Sequence, residues 1–161
     1  MPVTRQEALN TLEKLGVAPI FVQSYFDERL PKNLDLFFRP PEELFNAPDT
    51  QQPYTEGRLI PLLDNGNFAF VLFYDPEDEG LIRKYIEHPE DEVRYSNWQQ
   101  YLADLMIEIA ENCDADDSEL IEIAALLEFR HLEVTLAFLN SQSKSTYEQY
   151  ESNKDKFIAT I

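Results

Sequence analysis

Two histidines, one cysteine and a dense set of carboxylates are the residues here that could do chemistry. Nucleophile–base catalysis needs a Ser or Cys beside a His, and only His88 and His131 are available. His88 precedes Pro89 in an acidic turn and reads as a solvated residue. His131 falls inside an apolar stretch and reads as a partly buried structural residue. No nucleophile elbow or triad pattern accompanies either one. Cys113 has no His or Lys beside it in sequence, so it reads as a quiet residue near a helix end. HExxH and CxxC patterns are absent, and four glycines could hardly build a phosphate loop. The expectation is therefore no catalytic set, no metal and no cofactor.

The segment from Asp75 to Gly80 (DPEDEG) matches the first half of a calcium loop. It fails at the twelfth position, where Ile86 stands instead of a bidentate Glu, and it joins strands instead of helices. It reads as a solvated turn. Acids are too abundant in this chain for any glycosidase-like pairing to be informative.

The formal net charge is −18. Between Asp75 and Glu133 there are 18 acidic and 4 basic residues. That balance argues against phosphate-mediated binding to nucleic acid and against anionic membranes. It would draw in a basic protein partner. Two acidic turns stand out as partner-binding candidates. One supplies Asp75, Glu77, Asp78 and Glu79; the other supplies Glu90, Asp91 and Glu92. Tyr74 and Tyr85 are the aromatic anchors beside them.

The elements that must carry these turns are strands. Asn65-Gly66 separates two apolar runs, Leu59 to Leu63 and Phe68 to Tyr74, and predicts a hairpin. The second run, FAFVLFY, has no polar position, so it should be a central strand covered on both faces. Leu81 to Ile86 predicts a third strand and Val93 to Tyr95 a short edge strand. Upstream, Thr4 and Glu7 form a capping-box pattern, Ala8, Leu9, Leu12 and Leu15 give an apolar stripe, and Gly16 ends the helix. A short helix from Pro19 turns Ile20, Phe21, Tyr25 and Phe26 inward. Leu34 to Phe38 reads as a strand, Glu42 to Asn46 as a helical turn and Ala47 to Glu56 as a loop.

Downstream, Ser96 caps a helix on which Trp98, Leu102, Leu105 and Ile109 share a face, with Trp98 as a core anchor. Asp116, Asp117 and Ser118 are cap candidates for a long apolar helix from Glu119 to Asn140. Its apolar residues wrap around more than one face, which suits an interface. Residues 142–161 read as a polar tail, with a short helix near Tyr147. The expected organisation is one α+β domain over residues 1–141 plus that tail.

A chain of 161 residues suits one domain with a real core. It has no run of eighteen apolar residues and no signal-peptide core at MPVTRQEALN. Its one cysteine cannot form an internal disulfide. Together these predict a reducing, cytoplasmic setting.

An N-terminal helix, then LFFRPPEEL, LIPLLDNGNFAFVLFYDP, an Ile-containing strand and SNWQQYLADLM resemble the SUKH superfamily. Its members include bacterial immunity proteins and a fungal cell-wall-synthesis regulator. The resemblance covers about Leu34 to Asn112. It rests on a Pro-containing strand (Ile60-Pro61-Leu62) and a helix opened by Ser96-Asn97-Trp98. The chain departs from the pattern where APDTQQPYTE replaces a glycine-rich segment, and in the added apolar helix. The resemblance implies an α+β fold, a mostly antiparallel sheet with helices packed on one side. It also implies a non-enzymatic role: binding a cognate toxin, often a nuclease, whose basic cleft an acidic inhibitor fits. The alternative is a regulatory or scaffold protein that forms a homodimer through helix 119–140.

Overall fold

A computed structural model describes residues 1–161. The chain divides into two compact units, Met1–Ser96 and Asn97–Ile161. The fold is α+β, with one four-stranded antiparallel sheet.

The first unit is built around a meander: β1 (Ile60–Asp64), β2 (Phe70–Asp75), β3 (Gly80–Tyr85) and β4 (Glu92–Tyr95), paired in chain order. In β2, Val71 to Asp75 are all buried, as an uninterrupted apolar run predicts for an inner strand. Val71 and Phe73 share one face with Ile82 of β3 and pack against Leu44 and Leu59. Burying each such side chain contributes about 1.5–3 kcal/mol. The β1–β2 connection is longer than a tight two-residue turn. The Asn65 carboxamide oxygen accepts from the amides of Ala69 (3.0 Å) and Phe70 (3.0 Å). Gly66 sits at φ 98, and Phe68 is left-handed at φ 60.

β1 is an edge strand, and its outer side is occupied. Pro61 brings no donor, and the register shifts between Pro61 and Leu63. The Tyr25 hydroxyl donates to the Leu62 carbonyl at 2.5 Å. Arg39 exchanges backbone hydrogen bonds with Asp64, at 3.4 and 2.8 Å. Beside β1 packs α1 (Arg5–Leu15), which has the expected capping box and a left-handed Gly16 at φ 69. In α2 (Pro19–Gln23) Ile20 and Phe21 are buried, as is Tyr25 just beyond it; Phe26, expected inward, is instead 69% exposed.

Residues 34–38 are not a strand. A 3-10 segment spans Pro31–Leu36, with Lys32 and Asn33 left-handed. Leu34 and Phe38 are buried, while Leu36 between them is 67% exposed. The apolar spacing that mimics alternation is here a four-residue step, one helical turn. The Phe38 ring meets Phe21 at 4.6 Å. The expected loop 47–56 also folds: α3 (Glu42–Asn46) is followed by a 3-10 turn at Pro48–Thr50 and by α4 (Gln52–Thr55). Pro48 and Pro53 stand in the first turns, where a missing N–H costs nothing. Buried Gln51 ties this region together. Its amide donates to the carbonyls of Val3 (2.8 Å) and Leu44 (3.1 Å), and its oxygen accepts from the Val3 amide (2.7 Å).

The second unit is helical: α5 (Trp98–Asn112), α6 (Asp117–Leu127), α7 (Leu132–Ser141) and α8 (Tyr147–Ala159). α5 packs with each of the other three. Its cap is Asn97 instead of Ser96, accepting from the Gln100 amide at 2.9 Å. Leu102, Leu105 and Ile109 are buried as their spacing predicts, but Trp98 is only half-buried, against Tyr101 at 4.9 Å. Asp116 caps α6, accepting from the Glu119 amide at 2.9 Å.

The single long helix 119–140 does not form. Glu128 is left-handed at φ 56, and the amides of Glu128 and Phe129 reach back to Ala125 and Ala124. That is a Schellman stop without glycine. Gln99 of α5 holds the break: its amide donates to the Glu128 carbonyl and its oxygen accepts from the Arg130 amide, both at 3.0 Å. His131 therefore caps α7 instead of lying within a helix. The expected polar tail is mostly α8, opened by a Thr146–Gln149 capping box. Its Phe157 ring stacks on Phe138 of α7 at 4.6 Å, and its Tyr150 hydroxyl donates to Glu111 of α5.

A Cβ added to Gly66 would stand 2.2 Å from the Leu36 carbonyl oxygen. Gly66→Ala is therefore expected to lower stability by about 2–4 kcal/mol, from clash and left-handed strain together. Urea unfolding checks this; a loss under about 0.5 kcal/mol would mean that the loop moves freely aside.

Candidate functional site

The nine residues singled out from the sequence fall into two groups at opposite ends of β3. Six residues of strand separate the two turns, about 17 Å at the usual rise. Four of the first group, at the β2–β3 turn, are engaged within the fold. Tyr74 is buried between Ile60 and Leu81. Asp75 is also buried; it accepts from the Glu77 amide at 3.0 Å and pairs with Arg58 at 3.3 Å. The same Arg58 meets Glu77 at 3.1 Å. Asp78 accepts from the Gly80 amide at 2.8 Å and faces Arg94 at 3.9 Å. Glu79 is exposed and left-handed at φ 59. Carboxylates this close to backbone amides shape the turn by Asx-type capping.

The second group is presented. The β3–β4 turn closes through the Asp91 amide on the His88 carbonyl at 2.9 Å. Glu87, Glu90 and Asp91 are exposed, and the turn's one cation candidate is His88, 3.6 Å from Glu90. Glu92 is held by Arg94 at 2.9 Å. Tyr85 is 43% exposed, with its ring 3.9 Å from Phe70. Tyr85, Glu90, Asp91 and Glu92 line a depression of about 280 Å³, floored by Phe70 and Arg83.

A larger groove, about 560 Å³, on the same unit has no counterpart in any sequence motif. Arg5, Tyr25 and Arg39 line it, with Phe26 and Leu36 at its rim. The Arg5 guanidinium lies 4.9 Å from the Tyr25 ring centre, donates to the Tyr25 carbonyl and pairs with Glu42 at 2.9 Å. Arg39 holds both oxygens of buried Asp64, at 3.0 and 3.1 Å, and Glu43 at 2.7 Å. The groups are committed to one another, so the groove's polar wall is a structural network. Burial drives the Tyr25 phenol far above its ordinary pKa. Apart from Arg39–Glu43, these partners are 20 to 40 residues apart in sequence, with no motif to link them.

Ser24 donates its hydroxyl to the Phe21 carbonyl at 2.6 Å, with no histidine in that arrangement. No group of three or more His, Cys, Asp or Glu side chains is placed to hold a metal ion. No helix is long and apolar enough to cross a membrane. Comparisons with family models, curated proteins and solved structures return no match.

Burial pushes the Asp64 carboxyl up from 3.8 to about 6, against the opposing pull of the Gly66 amide and Arg39. The folded state thus binds this proton more tightly than the unfolded chain. Its contribution to stability is fully present below about pH 4 and is lost as the pH rises through about 6. Wild type should therefore lose on the order of 2–3 kcal/mol relative to Asp64→Asn across that window. Urea unfolding of both proteins between these limits checks it; a pH-independent difference would refute it.

Proposed function

We propose that this chain is a non-enzymatic, immunity-type binding protein. It neutralises a cognate toxin, basic and nuclease-like, by presenting an acidic surface, and it works in the cytoplasm. The observation that carries this reading is the β3–β4 turn: exposed Glu87, Glu90 and Asp91 project from a rigid sheet with no Lys or Arg among the turn residues. The wider charge supports it. The second unit alone carries thirteen acidic against four basic residues. A nuclease cleft shaped for phosphates is positive, and opposite fields raise the rate of encounter. The resemblance of Leu34 to Asn112 to the SUKH superfamily points the same way.

A second reading, self-association, keeps one specific support. On α6 and α7, Ile121 is 60% and Val134 50% exposed. Leu127, by contrast, is wholly buried and unavailable to a partner.

Two measurements separate these readings. Stopped-flow association with basic nuclease domains should be fast at low salt, and Glu90→Lys, Asp91→Lys and Glu92→Lys together should slow it about 10–100-fold. Unchanged rates would remove that turn from the interface. Light scattering on wild type and on Ile121→Glu with Val134→Glu tests the other reading: a dimer converted to a folded monomer supports it, and a monomeric wild type ends it.

A further inference from the structure

The proposed function leaves open which chemical group of a basic partner is recognised, and where. We infer that the depression beside Tyr85 is an anchoring site for one arginine side chain of the partner, its guanidinium stacked on the Tyr85 ring and bridged by Glu90 and Asp91. This inference rests on the protein-binding reading above and deepens it.

Three observations at this place converge. The first is an aromatic surface turned to solvent. Tyr85 is the last residue of β3, cross-strand to Phe70, and its ring packs on Phe70 at 3.9 Å while staying 43% exposed. A ring held by a second ring is a preorganised plate, so a cation settling on it orders nothing further. The second is that the chain already puts a guanidinium on this aromatic pair. Arg83 lies 4.7 Å from the Phe70 ring centre. That internal contact is the interaction an incoming arginine would repeat on the Tyr85 face.

The third is the distribution of charge around the plate. Glu92 is engaged by Arg94 at 2.9 Å, while Glu90 faces only His88, at 3.6 Å, and Asp91 takes part in no ion pair. Neither Glu90 nor Asp91 is paired with a Lys or Arg, and Arg83 is the one resident arginine of the depression. Val93, exposed next to them, supplies an apolar wall for the methylene stem.

Size and shape decide the occupant. About 280 Å³ is enough for one long side chain and small for an independent organic ligand. Lysine and arginine would both answer the charge. Only arginine is planar enough to stack on tyrosine while forking to two carboxylates. The turn at the other end of β3 lacks this combination: its tyrosine is buried, and Arg58 and Arg94 already pair with three of its four acids.

The test is calorimetric titration of the full chain with an arginine-rich peptide and a lysine-rich peptide of equal length and charge. The expected result is arginine over lysine by about 5-fold or more, from stacking and bidentate pairing. Tyr85→Leu, which keeps bulk and removes the π face, should abolish that preference. Glu90→Gln with Asp91→Asn should weaken both peptides about 10-fold. Glu77→Gln with Glu79→Gln, at the opposite turn, should change neither by more than about 2-fold. Circular dichroism confirms that each variant is folded. Binding that does not distinguish arginine from lysine, or that Tyr85→Leu leaves intact, overturns the arginine site while acidic binding stands. No binding of either peptide to wild type overturns the acidic-surface reading as well.

Discussion

The first unit depends on one buried carboxylate. Asp64 ends β1, accepts from the Gly66 amide at 2.7 Å and holds Arg39 through both oxygens. Through Arg39 it fixes the segment after the 3-10 turn; through Gly66 it fixes the β1–β2 loop. The two meet where Gly66 passes under the Leu36 carbonyl, an approach that leaves no room for a Cβ. A charge taken out of water is costly unless paired and hydrogen-bonded. Here the partners are at hand, yet burial still raises the carboxyl to about 6. The network sets geometry more than it adds stability. It closes the outer side of an edge strand that would otherwise offer unpaired backbone groups to any passing chain.

Local chemistry made some of this legible in the sequence. The capping box at Thr4, the left-handed Gly16 and the two-sided burial of β2 each follow from residues within one turn or one strand. The elements in which the structure departs from the sequence pattern turn on distant partners. Leu34 and Phe38 satisfy a strand pattern and a helical step equally well; Phe21, reached from another element, decides between them. Glu128 is an ordinary helix residue by propensity, and nothing near it announces a stop. The break is held by Gln99, 29 residues away. The segment after Ser141 is polar, yet most of it forms α8. Its three aromatic rings, Tyr147, Tyr150 and Phe157, are spaced so that two of them meet Phe138.

The candidate site was half legible for the same reason. Composition located two acidic turns but could not say which carboxylates were already committed. In a chain with 31 acidic residues, backbone amides and a limited supply of arginines decide that question. Asp64, Asp75, Asp78 and Asp116 each accept from a main-chain N–H close by in sequence. Such acids shape turns and caps.

What remains after that selection is more informative than net charge. The six residues of β3 separate an acidic turn with three of its four carboxylates paired to arginine from one in which Glu90 and Asp91 have no such pair. The strand also places its solvent-facing tyrosine at the end of Glu90 and Asp91, and the tyrosine that precedes the other turn is buried. Carboxylates alone attract cations diffusely and lose that attraction as salt rises. An aromatic plate beside them adds shape and a short-range contact that salt screens far less. The end of the sheet where the two coincide is where a long-range field can become a specific contact.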